Sequence, residues 1–231
     1  TVKTCSDKYS CFELLAQKGI ACPQTRLLSE IDIYATSTIY PLIAKPRIDS
    51  GGSRGINIFY NAEDLAGFAS QHSNDAGSWV CQEYLRDSTN ELTIGVLSQA
   101  NGSAAGSILL RRTFQNMLSV HDRSQEHLIS SGSSQGHFYR DKAAEDAAMR
   151  IADAVGSTGP LNIQCRLKNG VIMPFEINPR FSASTFLRTL AGANEASLYL
   201  NHLISGRDID YPEPKEGLAL RSFAECFVPA I

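Results

Sequence analysis

Asn162-Ile163-Gln164-Cys165-Arg166-Leu167-Lys168-Asn169-Gly170-Val171-Ile172-Met173-Pro174-Phe175-Glu176-Ile177-Asn178-Pro179-Arg180-Phe181-Ser182 carries most of the information in this chain. The runs 161–167 and 171–177 read as two strands joined through Lys168-Asn169-Gly170, because an Asn-Gly pair supplies the positive φ angles that a tight hairpin turn needs. Alternate residues of a strand share a face, so Glu176 and Asn178 point the same way. The hairpin brings Gln164 towards them from the partner strand. A carboxylate and two amides on one sheet face suit Mg²⁺, a hard cation that takes oxygen ligands together with phosphates and water. Arg180, just past Pro179, is placed to neutralise charge on a transferring phosphoryl group. The competing reading is a polar edge hairpin.

Outward from the hairpin, the pattern is mixed. Residues 7–18 read as an amphipathic helix capped by Ser6 or Asp7 and stopped at Gly19. A short strand follows at 24–28, then a buried strand, Pro41-Leu42-Ile43-Ala44-Lys45-Pro46. The glycine-rich loop Asp49-Ser50-Gly51-Gly52-Ser53-Arg54-Gly55 leads into an alternating strand at 56–59, so the unit is strand, loop, strand. Further helices are predicted at 61–72, 141–155 and 186–204. Further strands are predicted at 79–85, 91–97, 106–112 and within 218–227. The sum is an α+β fold rich in antiparallel hairpins.

The 231 residues are 43% hydrophobic and 19% charged, with a net charge of −3. That length buries a proper core in one large domain or two lobes. A near-neutral balance argues against a nucleic-acid partner. No apolar run of ~18 residues is present, so no membrane partner is expected. The six cysteines include no CxxC pair and read as reduced thiols of a cytoplasmic protein. Asn101-Gly102-Ser103 fits a glycosylation sequon without other signs of secretion. No Gly-x-Ser-x-Gly elbow supports a serine hydrolase. His121, His127 and His137 read as solvated loop residues, and His72 and His202 lie near helix ends. The chain starts at Thr1 rather than Met, and the expectation is a processed product or a piece of a longer protein.

The glycine loop matches neither a Walker nor a dinucleotide motif. Its backbone N–H groups and Arg54 can still fold over phosphates; the other reading is a mobile turn. Lys45, at the end of a buried strand, reads either as a phosphate contact or as an ordinary strand-end lysine. Gln82-Glu83-Tyr84-Leu85 reads as a strand whose backbone can pair with an adenine edge, and Glu91 as an acceptor for ribose hydroxyls.

Taken in order, Asp7-Lys8, Lys45 with its Gly-Ser loop, Gln82 to Leu85, Glu91, Gln164 and Glu176-Ile177-Asn178-Pro179-Arg180 resemble the ATP-grasp superfamily. Within it the chain is similar to the carbamoyl-phosphate synthase large-subunit branch and related amino-acid ligases. The resemblance implies an α+β fold with two lobes whose antiparallel sheets hold the nucleotide between them. Residues 1–22 would be a helical lead-in, 23–87 the smaller lobe with its lid loop, and 88–231 the larger lobe with the metal site. Lys8 and Lys45 would contact ATP phosphates, with Ser50, Gly51, Gly52, Ser53, Arg54 and Gly55 as the lid. Glu83, Tyr84 and Leu85 would offer the adenine contacts and Glu91 the ribose contact. Gln164, Glu176 and Asn178 would bind Mg²⁺, or Mn²⁺ in its place. Arg180, with Lys45, would serve catalysis, and Arg111 or Arg112 would face substrate. The implied activity is an ATP-dependent ligase that turns a small carboxylate into an acyl phosphate for attack by an amine. Relatives begin with a further α/β domain of ~100 residues, a typical small-domain size, so a missing N-terminal domain or partner subunit is expected. The alternatives are a nucleotide-binding module without independent turnover, and a protein of this fold that has lost ATP binding.

Overall fold

The computed structural model describes residues 1–48, 53–115 and 117–222. Two short helices open the chain, α1 (Val2–Ser6) and α2 (Lys8–Gln17). The second starts where the Asp7 carboxylate accepts from the Tyr9 and Ser10 amides, and it stops before Gly19, whose φ is 69°. Its buried face is Cys11, Phe12 and Leu15. Helix α1 has no counterpart in the sequence reading.

The first sheet contains β1 (Thr25–Leu27), β2 (Leu42–Pro46), β3 (Asn57–Phe59) and, after helix α3 (Ala62–Gln71), β4 (Trp79–Glu83). Its order is β1-β4-β2-β3, with every pairing antiparallel. Asn61 caps α3 by accepting from the Asp64 amide, and Leu65 packs the helix on Leu28, Leu42, Ala44 and Cys81. Strand, loop, strand is the observed unit across the glycine-rich segment. Its residues 49–52 lie outside the described residues.

The second sheet is built from β5 (Glu91–Ser98), β6 (Ala104–Arg112), β9 (Gly136–Tyr139), β10 (Pro160–Lys168), β11 (Val171–Asn178) and β12 (Gly217–Ala219). Its order is β11-β10-β5-β6-β9-β12, again antiparallel throughout. Between β6 and β9 a separate two-stranded hairpin forms from β7 (Val120–Arg123) and β8 (Leu128–Ser130). Helix α4 (Lys142–Ala154), capped by Asp141, lays Ala144, Ala148, Ile151 and Ala152 against one face of the sheet. That face carries Leu92, Ile94, Val96, Leu109 and Ile163. The opposite face carries Glu91, Thr93, Arg112, Asn162, Gln164, Arg166, Glu176 and Asn178 by strand alternation, and it looks into the space beside the first sheet. One sheet thus has an apolar structural face and a polar working face.

The β10–β11 hairpin turns at Asn169 and Gly170, with φ of 54° and 77°, the two positive angles expected there. Residues 186–204 are not one helix: α5 (Thr185–Leu190) and α6 (Glu195–Ser205) are separated at Gly192, where φ is 100°, and Asn194 caps the second by accepting from Ser197 N–H. The last strand is shorter than expected, 217–219, and residues 223–231, including Cys226, lie outside the described residues. The other five cysteines carry free thiols. Among the described residues no helix is long and apolar enough to cross a membrane.

Two charged contacts tie the fold to the working face. Arg47 grips Asp7 through two bonds, Nε to Oδ1 at 2.8 Å and Nη2 to Oδ2 at 2.6 Å, so the start of α2 is pinned to the end of β2. Arg188 of α5 is buried against Glu195 at 3.0 Å and donates to Asn162 Oδ1 at 2.6 Å. It fits only because position 95 is glycine: a Cβ there would stand 2.3 Å from Arg188 Nη1.

Two outcomes are expected. Gly95→Ala should destabilise the protein by about 1–3 kcal/mol, the usual cost of overpacking, read as a lower urea midpoint with an unchanged slope. Arg47 holds the Asp7 carboxyl at about 2, below its ordinary value near 4. The stabilisation from this pair is complete above pH ~4 and disappears as pH falls towards 2. Asp7→Asn should therefore flatten the loss of stability over that window in an acid titration followed by circular dichroism.

Candidate active site

The cleft between the two sheets has an apolar part and a charged part. Ile43 and Ile56 of the first sheet's side face Leu128, Ile129 and Phe175 across it. Parallel apolar walls of this kind receive a flat ring. Lys8, Lys45, Arg54, Gln164 and Glu176 line the same cleft.

Lys45 is buried, only 6% exposed, and donates from Nζ to Gln82 Oε1 and to the Phe175 carbonyl, both at 2.8 Å. That carbonyl is available because Phe175 is the extra residue of a bulge: Gln164 pairs with Glu176 while Cys165 pairs with Pro174. Burial pulls the ammonium down to about 8, Glu176 opposes the drop, and Lys8 adds to it. A lysine kept dry and beside a second cation has its charged form favoured when an anion arrives.

At the end of β4 the chain runs Glu83-Tyr84-Leu85 along the cleft. Glu83 N–H bonds to Gln24 O and Tyr84 N–H to Pro41 O, which fixes the segment's path. The Glu83 side chain points to Lys168, at 2.6 Å. The Tyr84 hydroxyl donates to Leu128 O and accepts from Leu128 N–H, at 3.1 and 2.8 Å, joining the segment to β8. The lid is anchored by Ser53, whose Oγ donates to Ser130 O at 2.8 Å and whose φ is 62°. Gly55 turns at φ 73° with Pro46 Cγ only 3.1 Å from where a Cβ would be. Ser50, Gly51 and Gly52 lie outside the described residues.

The three oxygen-bearing side chains sit on neighbouring strands at matched register, Gln164 opposite Glu176 and Asn162 opposite Asn178. Gln164 Nε2 donates to Glu176 Oε2 at 2.9 Å, and the Asn178 amide nitrogen is buried without a partner among the described atoms. One carboxylate and two amides, from Glu176, Gln164 and Asn178, carry the oxygen atoms that a hard divalent cation takes. Asn162 is committed elsewhere, accepting from Thr93 Oγ1 and from Arg188. Arg180 is exposed, donates to Phe181 O at 2.9 Å, and lines two side cavities that meet at Glu176 rather than the main cleft.

Glu91 requires a correction. The sequence places it as a ribose acceptor, but the residue has no exposed surface and lies off the cleft wall. Arg112 Nη1 reaches it at 3.0 Å and Arg166 Nη2 at 2.8 Å, so both carboxylate oxygens are occupied by buried guanidinium groups. The Arg111/Arg112 ambiguity resolves by strand alternation. Arg112 is on the working face but buried beneath the 119–133 segment, donating to the carbonyls of Ser119, Ser131 and Ser133. Arg111 is on the helix-covered face, 4.4 Å above the Tyr139 ring. Neither lines the cleft.

His127 also departs from the expectation of a solvated loop residue. Its ring is bounded by Asp122 on Nε2 at 2.9 Å and by Tyr60 Oη and Ser124 Oγ on Nδ1 at 2.7 and 2.9 Å. It fastens the β7–β8 hairpin to the end of β3. Arg166 is the functional residue missed by the sequence reading. It lines the cleft, donates to the carbonyls of Leu85 and Leu128, and spans the rings of Tyr84 and Phe175. Its signal was present, since Arg166 shares the alternation of Asn162 and Gln164.

Two antiparallel lobes with a lysine, a lid and an oxygen-ligand hairpin between them define an ATP-grasp fold. The chain belongs to the family described as ATP-grasp in the biosynthetic pathway with Ter operon, whose model matches residues 77–226. It is 24% identical over 192 residues to the carbamoyl phosphate synthase large chain of Neisseria meningitidis, covering 79% of this chain and 17% of that protein. It is 26% identical over 188 residues to a formate-dependent phosphoribosylglycinamide formyltransferase of Prochlorococcus marinus, covering 80% of this chain and 46% of that one. The chain therefore spans less than half the length of these relatives. The crystal structure of a D-alanine–D-alanine ligase from Bacillus anthracis complexed with ATP superposes with a TM-score of 0.58 at 16% identity, over 88% of this chain and 67% of that chain.

The placement of Glu91 has a direct consequence. Glu91→Gln leaves two buried guanidinium groups with less than one countercharge, and should destabilise the protein by about 3–5 kcal/mol. A ribose acceptor on the surface would instead leave the melting temperature unchanged and weaken nucleotide binding alone.

Proposed function

We propose that this protein is an ATP- and Mg²⁺-dependent ligase that activates a carboxylate as an acyl phosphate for attack by an amine. The observation that carries the reading is the convergence of buried Lys45 with the Gln164–Glu176–Asn178 set on one cleft. The apolar walls hold the adenine, with backbone groups of Glu83 and Leu85 at its edge; the Leu85 carbonyl is already shared with Arg166. Lys8, Lys45 and the lid residues from Ser53 to Gly55 take the phosphates. Gln164, Glu176 and Asn178 would hold the cation, which would neutralise charge on the phosphates. Arg180, at the mouth beside Glu176, meets the acyl phosphate oxygens as they develop charge. The substrate carboxylate oxygen attacks the γ-phosphorus, the bond to the β-phosphate oxygen breaks, ADP leaves, and the amine then displaces phosphate from the carbonyl carbon. No side chain acts as nucleophile, because positioning and charge neutralisation carry the reaction. A nucleotide-binding module without independent turnover is the second reading, since it needs only the cleft lined by Ile43, Lys45 and Phe175.

ATP should raise the melting temperature by several degrees with Mg²⁺ present and by much less in EDTA, since ligand at ~100 times its Kd adds about 2.7 kcal/mol. Glu176→Ala should keep the ligand-free melting temperature and lose the Mg²⁺-dependent part; an unchanged Mg²⁺ response would remove the metal assignment. Hydroxylamine trapping across a carboxylate panel separates the ligase from the binding module.

Lys45 sets a pH signature. Its ammonium titrates at about 8 in the ligand-free protein, and bound phosphates favour the charged form. ATP binding is then accompanied by proton uptake, and affinity should be flat below pH 7.5 and fall above 8, by up to about tenfold per pH unit. Lys45→Arg should abolish the slope in a calorimetric titration from pH 7 to 9.5.

A further inference from the structure

Beside the nucleotide cleft lie two side cavities, and the smaller of the two, about 90 Å³, shares Ser53, Gln164 and Glu176 with the cleft. The anchored end of the lid and the cation ligands therefore border both spaces. Among the described residues, the larger side cavity near α1 and α2 shares only Lys8 and Glu176 with the cleft and is not lined by Ser53, Arg54 or Gly55. A group placed in the smaller cavity is the one next to the cation ligands and to Ser53.

Its lining is unlike that of the main cleft. Ser53, Thr93, Ser131, Ser134, Ser182 and Ser184 line it, and among the described lining residues there is no large apolar side chain. Three of these hydroxyls have already committed their proton: Ser53 to Ser130 O at 2.8 Å, Thr93 to Asn162 Oδ1 at 2.9 Å, and Ser131 to Leu118 O. Ser182 and Ser184 bond each other at 2.6 Å, which uses one proton of the two. These five hydroxyls thus offer mainly lone pairs, joined by the carboxylate of Glu176 and the amide groups of Asn162 and Gln164. The single cationic side chain among its described lining residues is Arg180. A cation at one place and acceptors elsewhere is complementary to a carboxylate attached to hydrogen-bond donors. An alkyl chain would leave these polar atoms without partners, and such mismatches are rejected far more strongly than a missing methylene.

We infer that the smaller cavity is the subsite for the acid substrate, and that it takes a short carboxylic acid bearing hydrogen-bond donors, an amino or hydroxy acid rather than an alkyl acid. The inference rests on the ligase reading, since it takes the adjoining cleft as the nucleotide site.

The test is a binding titration, so it does not depend on turnover. The protein is loaded with Mg²⁺ and a non-hydrolysable ATP analogue and then titrated calorimetrically with L-serine, L-threonine, glycerate, L-valine, butyrate, formate and bicarbonate. Threonine and valine have the same shape and differ by the hydroxyl, and glycerate and butyrate differ in the same sense. The donor-bearing acids should bind at least about tenfold tighter than their alkyl counterparts. Equal or tighter binding of valine and butyrate, a response confined to formate or bicarbonate, or no response to any acid would overturn the assignment. Failure of the Mg²⁺–nucleotide complex to form at all is a separate result, which overturns the ligase reading and the subsite with it. Ser134→Ala and Ser182→Ala should each reduce the preference for the donor-bearing acid by about three- to tenfold, with unchanged melting temperature of the ligand-free protein as the check on folding. Retention of the full preference in both would remove the hydroxyl lining as its cause.

Discussion

The Glu91 carboxylate, held between two buried guanidinium groups, is the contact on which the working side of this protein depends. It takes Arg112 from β6 and Arg166 from β10. Through them it organises the segment after β4 and the segment that carries the β7–β8 hairpin. Arg112 collects three carbonyls of the 119–133 segment, and Arg166 collects Leu85 and Leu128. A charged cluster of this kind adds little net stability over a well-packed apolar core, because desolvation offsets most of the attraction. What it achieves is geometry: five carbonyl groups from the hinge and the hairpin are satisfied at set positions behind the cleft. The cluster also leaves one positive charge in excess, which favours an anionic ligand in front of it.

The second organising feature is the division of one sheet into two chemistries. Alternation puts Leu92, Ile94, Val96 and Ile163 under α4 and puts Thr93, Asn162, Gln164 and Glu176 on the other side. Where Arg188 and Glu195 cover the polar face, they are buried, and Arg188 holds Glu195 at 3.0 Å and Asn162 at 2.6 Å. Where the cover stops, unpaired capacity begins: the Asn178 amide, the lone pairs of Glu176, and the hydroxyl-lined cavity. Function is confined to the part of the face that α5 and α6 leave uncovered.

Closure of the cleft is likewise built from side chains of both lobes. Ser53 reaches Ser130, Tyr60 reaches His127, and Tyr84 brackets Leu128. The β7–β8 hairpin is thereby held from the smaller lobe's side by three hydroxyls and from the larger lobe's side by Arg166. Each of these bonds is individually modest, about 1 kcal/mol, so the arrangement can open without breaking either core.

The sequence by itself determined the elements with strong local signals: the capped helices at Asp7, Asn61 and Asp141, the Asn169-Gly170 hairpin, and the alternation that puts Gln164 beside Glu176. These depend on short-range chemistry that a linear reading can follow, and from them the fold and the core of the candidate site were legible. Tertiary structure decided what the same residues do at a distance. Nothing local distinguishes Glu91 as a buried counterion from Glu91 as a surface acceptor, because the difference lies in two arginines 21 and 75 positions away along the chain. His127 reads as a polar loop residue until Tyr60 arrives from the other lobe, and β9 forms against β6 and β12, distant in the chain. Burial and charge pairing are properties of the assembled surfaces, so they become visible only once the chain has closed on itself.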